Sequence, residues 1–307
     1  MILIRRFLLA SLALFSASSF GEIIYLKLDG SSHQVPIKIY LPENEDGSAP
    51  VVLFSHGLGG SREGSQYLAE HWAAVGYAVV MLQHPGSDAS VWNDVPKWRI
   101  RSALKKAASA ESFYHRIDDV SIVIDYLEEV TASKKSDFYH KLDMERIAMV
   151  GHSFGAVTAQ ALMGQSFIEP GESRFHDSRI DCFILMSPSQ SKLMSNSIAF
   201  GHIDEPVLAM TGTQDNSPLR KEVTPESRKN VYGALPAGNA YQIVFHEGKH
   251  SIFGDYRRND PRYHVAILEI TTNFLEAYLK NDVNAVAWLR SENARNSLIP
   301  EDTWEWK

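Results

Sequence analysis

Short apolar runs separated by polar, glycine-bearing segments recur along the chain at Ile23–Leu28, Val35–Leu41, Pro50–Phe54, Ala78–Leu82, Ile147–Val150, Cys182–Met186, Pro206–Met210 and Tyr241–Phe245. Runs this short predict strands rather than helices, eight in all. From the third onward they alternate with helical patterns, at Ser65–Val75 and in the stripe Ile117, Val120, Ile124, Leu127, whose spacing marks one buried face. Strands that are apolar throughout are covered on both faces. The pattern therefore predicts an α/β architecture, a mostly parallel eight-stranded sheet with helices on both sides. The first two runs flank Asp29-Gly30-Ser31-Ser32, which predicts an N-terminal antiparallel hairpin leading into the sheet. No repeat or linker interrupts residues 22–307, which read as a single domain.

Two segments stand outside this alternation. Residues 86–112 form a polar insertion with Trp92, Trp98 and the basic cluster Lys97, Arg99, Arg101, Lys105 and Lys106. It reads either as a lid-like or interfacial element beside a site, or as a solvated surface helix. The serine-rich loop Ser187–Ile203 is a second candidate pocket wall.

Residues 1–21 open with Arg5 and Arg6, continue through the apolar Phe7–Phe15 and end in small residues. That order predicts a secretory signal peptide, so the protein is expected to be exported, periplasmic or secreted. The alternative is an uncleaved anchor, but the run is short for a bilayer span and no later stretch approaches twenty apolar residues, so stable membrane insertion is not expected. Loss of the leader removes two basic residues and takes the formal charge from −7 to −9, which argues against a nucleic-acid partner. Cys182 is the one cysteine and sits in an apolar run, so it is expected to be an inert core thiol.

The chemistry concentrates in Gly151-His152-Ser153-Phe154-Gly155, entered by an apolar run and left by the small-residue run Ala156–Leu162. This is the pattern of a nucleophile elbow, where a serine stands on a sharp strand-to-helix turn and flanking glycines allow close packing. A second motif, Phe54-Ser55-His56-Gly57-Leu58-Gly59-Gly60, follows the third apolar run, where this architecture keeps its other oxyanion donor. The backbone N–H groups of Leu58 and Phe154 are thus the predicted oxyanion hole.

A serine at its ordinary pKa needs a base, and the base needs an orienting acid. On sheets of this kind the acid and then the histidine follow the serine in the chain, each on a loop after a strand. Asp215 in Thr211-Gly212-Thr213-Gln214-Asp215 and His250 in Gly248-Lys249-His250 meet that order. His246 is the rival base. His152 is expected to point away from the serine, while His56 and His84 precede it and read as pocket-shaping residues. Asp181, Asp204 and Asp255 are misplaced for the acid. The histidines show no metal-ligand spacing and no phosphate-binding loop is present, so no metal and no cofactor are expected.

Taken together, these motifs, the His84-Pro85-Gly86-Ser87 turn and the Arg116–Leu127 segment beginning Arg-Ile-Asp-Asp resemble the predicted dienelactone hydrolase group of the α/β-hydrolase superfamily, close to the platelet-activating factor acetylhydrolase-like esterases. The resemblance spans nearly the whole chain after the leader and implies an α/β-hydrolase fold. It places the oxyanion donors at Leu58 and Phe154. There are two departures. Ser153 replaces the cysteine nucleophile of true dienelactone hydrolases, and Ser187 stands where the acetylhydrolases carry their acid. The expected activity is a serine carboxylic-ester hydrolase acting on small, short-chain acyl esters. The alternatives are a peptidase or amidase, an acyltransferase, a polyesterase, or a catalytically idle scaffold that binds a ligand. Oligomeric state is open.

Overall fold

The computed structural model describes residues 20–30, 32–43, 47–255 and 259–307. Residues 1–19 of the expected leader lie outside them. The strands among the described residues join one sheet: β1 (Ile23–Asp29), β2 (Gln34–Tyr40), β3 (Ala49–Ser55), β4 (Ala78–Leu82), β5 (Leu142–His152), β6 (Cys182–Met186), β7 (Val207–Gln214), β8 (Ala240–Lys249) and β9 (Thr303–Trp306). Their spatial order is β1-β2-β4-β3-β5-β6-β7-β8-β9. The six strands from β3 to β8 are mutually parallel. The hairpin β1–β2 joins antiparallel to β4 on one edge, and β9 lies antiparallel to β8 on the other.

The ninth strand corrects the eight-stranded expectation. Its Thr-Trp-Glu-Trp sequence is mostly exposed and carries no apolar run. Pairing with β8 and the stacking of Trp304 on Tyr241, ring centres 5.8 Å apart, hold it in place. Tertiary context, not intrinsic pattern, decides such short edge strands.

β3, β4 and β6 are buried along their whole length, and β5 from Ile147 to Gly151, because helices cover both faces. On one side the Ala110–Ala132 helix lays the predicted stripe Ile117, Val120, Ile124 and Leu127 against Val51, Leu53, Ile147 and Met149. On the other, the helices Gln66–Ala74 and Pro261–Leu279 pack Leu68, Trp72, Ile267, Ile270 and Phe274 against Val52, Val79, Val150 and Ile184. Apolar burial of this extent, at about 25 cal/mol per Å², is the largest contribution favouring the fold. Cys182 belongs to this second core, buried and free. The carboxyl ends of β3, β4, β5, β6, β7 and β8 emerge on one rim, where the loops carrying the candidate residues begin. No helix among the described residues is long and apolar enough to cross a membrane.

Candidate active site

β5 runs into the elbow and the helix Phe154–Leu162 leaves it, with Ser153 at the turn in a φ 57°, ψ −108° conformation. Few non-glycine residues hold such a backbone, and it costs of order 1–3 kcal/mol. The surrounding packing enforces it. A Cβ on Gly155 would lie 1.9 Å from the Ser55 carbonyl oxygen, and one on Gly151 would lie 2.1 Å from the Gly155 oxygen. Glycine at both positions lets the helix press onto β3 and turn back over β5.

β7 and β8 continue together beyond their predicted ends, and that extension carries the other two residues. Gly212 approaches Gly248 so closely that a Cβ would meet its carbonyl oxygen at 2.3 Å, and the register shifts between Gly212 and Gln214. Asp215 follows on one strand and His250 on the other. The structure brings all three predicted side chains together: His250 Nε2 is 3.0 Å from Ser153 Oγ and its Nδ1 is 2.7 Å from Asp215 Oδ1. With Nδ1–H donated to the carboxylate, Nε2 is left to accept the serine proton. Such a row can draw a proton off a hydroxyl and return it to a leaving group.

The Asp215 carboxylate is fully buried and saturated. Ser187 Oγ and Thr211 Oγ1 donate to Oδ2 at 2.7 and 2.9 Å, and Arg228 Nε lies 3.1 Å from Oδ1. Burial opposes the charge, but the His250 hydrogen bond and the Arg228 guanidinium outweigh it and hold the carboxyl below its ordinary range. Arg228 also donates to the carbonyls of Ser187, Pro188 and Asp215. It thereby ties the ends of β6 and β7 to the helix Pro225–Ala234. Ser187 was legible as the position of an absent acid; Arg228 carried no signal, because its acceptors are main-chain carbonyls that converge only on folding.

His152, expected to point away from the serine, packs on His250 instead. Its ring centre is 4.8 Å from that of His250, and its Nε2 lies 3.2 Å from the His250 carbonyl oxygen. Burial and the neighbouring His250 press its pKa down to about 3, so it stays neutral and braces the loop. The rejected candidates do other work. His246 has its backbone tied to Asp302, Arg262 and Tyr263. Asp181 caps Ile147 N, Asp255 accepts from Gln66 N and Tyr67 N at a helix start, and Asp204 is exposed.

Leu58 N and Phe154 N stand on the two segments that meet at the elbow: a Cβ on Gly57 would be 3.3 Å from Ser153 Cβ. Neither amide donates to a protein acceptor among the described residues. The insertion reaches this loop. Its helices Ser90–Asn93 and Lys97–Ala107 bring Trp92 Nε1 to within 2.8 Å of the Gly59 oxygen and Leu104 against Gly59, while Trp98 is left exposed. Among the described residues no group of three or more His, Cys, Asp or Glu side chains is placed to hold a metal ion.

Comparison with known proteins agrees with this architecture. The family described as alpha/beta hydrolase fold matches residues 50–211, more than half the chain, from the start of β3 to just short of Asp215. The chain belongs to the α/β hydrolase fold family. This α/β hydrolase is similar to a platelet-activating factor acetylhydrolase of Cavia porcellus, 26% identical over 94% of the chain and 70% of that protein. It is also similar to the hydrolyase poxO of Penicillium oxalicum, 28% identical over 45% of the chain and 29% of that protein. Ser153 and the amides of Leu58 and Phe154 fall within the family match, whereas Asp215 and His250 lie beyond it.

Proposed function

We propose that the protein is a serine hydrolase of carboxylic esters, with Ser153 as nucleophile, His250 as general base and acid, Asp215 as the orienting acid, and the amides of Leu58 and Phe154 as the oxyanion hole. The observation that carries the reading is the continuous row from Ser153 Oγ through His250 to Asp215, with distances of 3.0 and 2.7 Å. Ser153 Oγ attacks the ester carbonyl as His250 Nε2 takes its proton. The carbonyl oxygen becomes an oxyanion held by the two amides. As the intermediate collapses, the proton on Nε2 passes to the departing alcohol and an acyl-serine remains. Water then attacks the acyl carbon, giving its proton to Nε2, and the acid leaves as that proton returns to Ser153 Oγ.

Short-chain acyl esters are the favoured substrates. The similarity to an enzyme named as an acetylhydrolase supports that choice. Ser187 stands where the acetylhydrolases of the resemblance carry their acid, so that enzyme's substrate is not carried over to this chain. The leader-like residues 1–21 support an exported protein acting outside the cytoplasm.

Hydrolysis of p-nitrophenyl esters from acetate to palmitate by residues 22–307 tests the reading, with Ser153→Ala as control. Turnover concentrated at short chains, abolished in the variant and accompanied by fluorophosphonate labelling of Ser153, is the expected result. No turnover and no labelling of the wild type overturns it in favour of a scaffold that only binds.

A further inference from the structure

Beneath the elbow lies a buried polar cluster that the triad does not use. Ser55 Oγ is 2.8 Å from His84 Nε2, His84 Nδ1 is 2.8 Å from Asp119 Oδ2, and His33 Nε2 is 2.8 Å from Asp119 Oδ1. Ser55, His84 and Asp119 are fully buried, so this second serine–histidine–aspartate row cannot meet a substrate. Its centre is Arg116, also fully buried, on the Ala110–Ala132 helix.

The contacts of Arg116 converge on the predicted oxyanion loop. Nη1 donates to the His56 carbonyl oxygen at 2.7 Å and to Ser55 Oγ at 3.2 Å, Nε donates to Ser87 Oγ at 2.8 Å, and Nη2 lies 3.3 Å from His56 Nδ1. The Ser87 carbonyl oxygen in turn accepts from Gly59 N at 2.8 Å. The peptide before Gly57 and the amide after Leu58 are therefore both anchored through one guanidinium. That guanidinium also sits 4.5 Å from the centre of the Phe154 ring, the residue supplying the other amide.

The charge itself is unusual. Among the described residues no carboxylate oxygen lies within 4.0 Å of the Arg116 nitrogens: Asp119 is taken by two histidines, and Asp88 by Gln83 and Ser90. Asp119 and Asp88 act on this cation only from beyond 4.0 Å, and burial outweighs them and presses its pKa down to about 9, so holding the charge on neutral acceptors and an aromatic face is costly. A brace without charge would avoid that cost. Negative charge that appears only transiently on a substrate oxygen would offset it.

We propose that Arg116 is a positioning residue that fixes the Leu58 and Phe154 amides as one oxyanion-binding unit and supplies a buried positive charge behind it. The proposal rests on the ester-hydrolase reading. It separates Arg116 from the rest of the core, because its effect belongs to the transition state and not to substrate binding.

The test compares wild type, Arg116→Gln, Arg116→Lys and Ser87→Ala on a p-nitrophenyl ester that the wild type turns over, with thermal unfolding and the affinity for a boronic acid that forms a tetrahedral adduct on Ser153. Arg116→Gln is expected to lose about a hundredfold in kcat, the scale of one oxyanion donor, with KM within about twofold. Its boronate affinity should fall in parallel, and Arg116→Lys should recover about a tenth or more of the wild-type rate. Ser87→Ala keeps the charge but frees Nε, and should lose a smaller part of kcat, also without a change in KM. It carries the test if Arg116→Gln does not fold.

A folded Arg116→Gln with kcat within threefold of wild type overturns the proposal. So does a loss confined to KM, an unchanged boronate affinity, or a Ser87→Ala kcat equal to wild type. A wild-type protein with neither turnover nor Ser153 labelling overturns the underlying reading before any variant is made, so the two failures are distinct.

Discussion

Ser187 Oγ donates a 2.7 Å hydrogen bond to Asp215 Oδ2, joining the end of β6 to the end of β7 across the sheet. Ser187 holds a positive φ of 59°, and both residues are completely buried. The two strand ends at which the resemblance allows an acid are thus in contact, one occupied by a carboxylate and the other by a hydroxyl that serves it.

Asp215→Asn should therefore cost about 10⁴-fold in kcat by leaving His250 in the wrong tautomer. Moving the acid back, in the double variant Ser187→Asp with Asp215→Ser, should recover about tenfold or more over Asp215→Asn, because aspartate tolerates the left-handed backbone at 187. Steady-state kinetics on one ester decides the point; no recovery would mean that the β6 end cannot reach His250.

Ser187→Ala alone should be milder. Thr211, Arg228 and His250 still satisfy the carboxylate, so the loss is that of one hydrogen bond to a charged group, about 1.5–3 kcal/mol in stability. Urea unfolding measures it, and a variant as stable as wild type would contradict the saturation described for Asp215.

Acid should destabilise the fold through the buried histidines. Burial first, and the Arg116 charge second, press the His56 pKa down to about 3 and hold His84 well below its ordinary value. The unfolded chain protonates both below about pH 6.5. It then binds more protons than the folded chain, so this stability is complete above about 6.5 and declines as the pH falls. Asp119 acts in the opposite sense, since burial pushes its carboxyl up to about 6 and the folded state takes its proton first. Two imidazoles against one carboxyl leave a net loss of stability from this cluster as the pH falls from 6 toward 4. Urea unfolding of wild type and His56→Gln across that range checks the sign, and His56→Gln should lose stability less steeply. Parallel pH profiles would refute the assignment.

Gly155→Ala should unfold the elbow. The new methyl would overlap the Ser55 carbonyl oxygen on β3, a backbone atom that cannot step aside. The expected cost exceeds about 3 kcal/mol, seen as loss of soluble protein or a sharply lowered urea midpoint. An ordinary midpoint would mean that the helix can lift off the sheet.

The central strands were legible because burial on both faces removes polar positions from them, so Val51–Phe54 or Cys182–Met186 stand out without any structural context. β9 was missed: Thr-Trp-Glu-Trp alternates polar and apolar, but over only four residues and without an apolar run, and pairing with β8 and the stacking on Tyr241 make a strand of it. The positions of Ser153, Asp215 and His250 could be read from chain order, because each must follow a strand on the same rim. The residues behind them could not. Arg116 and Arg228 look like surface arginines in a helical pattern until the carbonyls of His56, Ser187 and Pro188 converge on them. Chain order placed His152 away from the serine, but its contact with the His250 main chain also forms only on folding.

With Ser153 as the proposed nucleophile, its left-handed backbone separates the best folder from the best catalyst. Glycine would relax that turn, whereas alanine would keep its strain while losing the hydroxyl. A library selected for thermal endurance alone should drift toward glycine at 153, accumulating molecules that outlast the wild type and do nothing. Only a screen that also scores turnover would keep the serine.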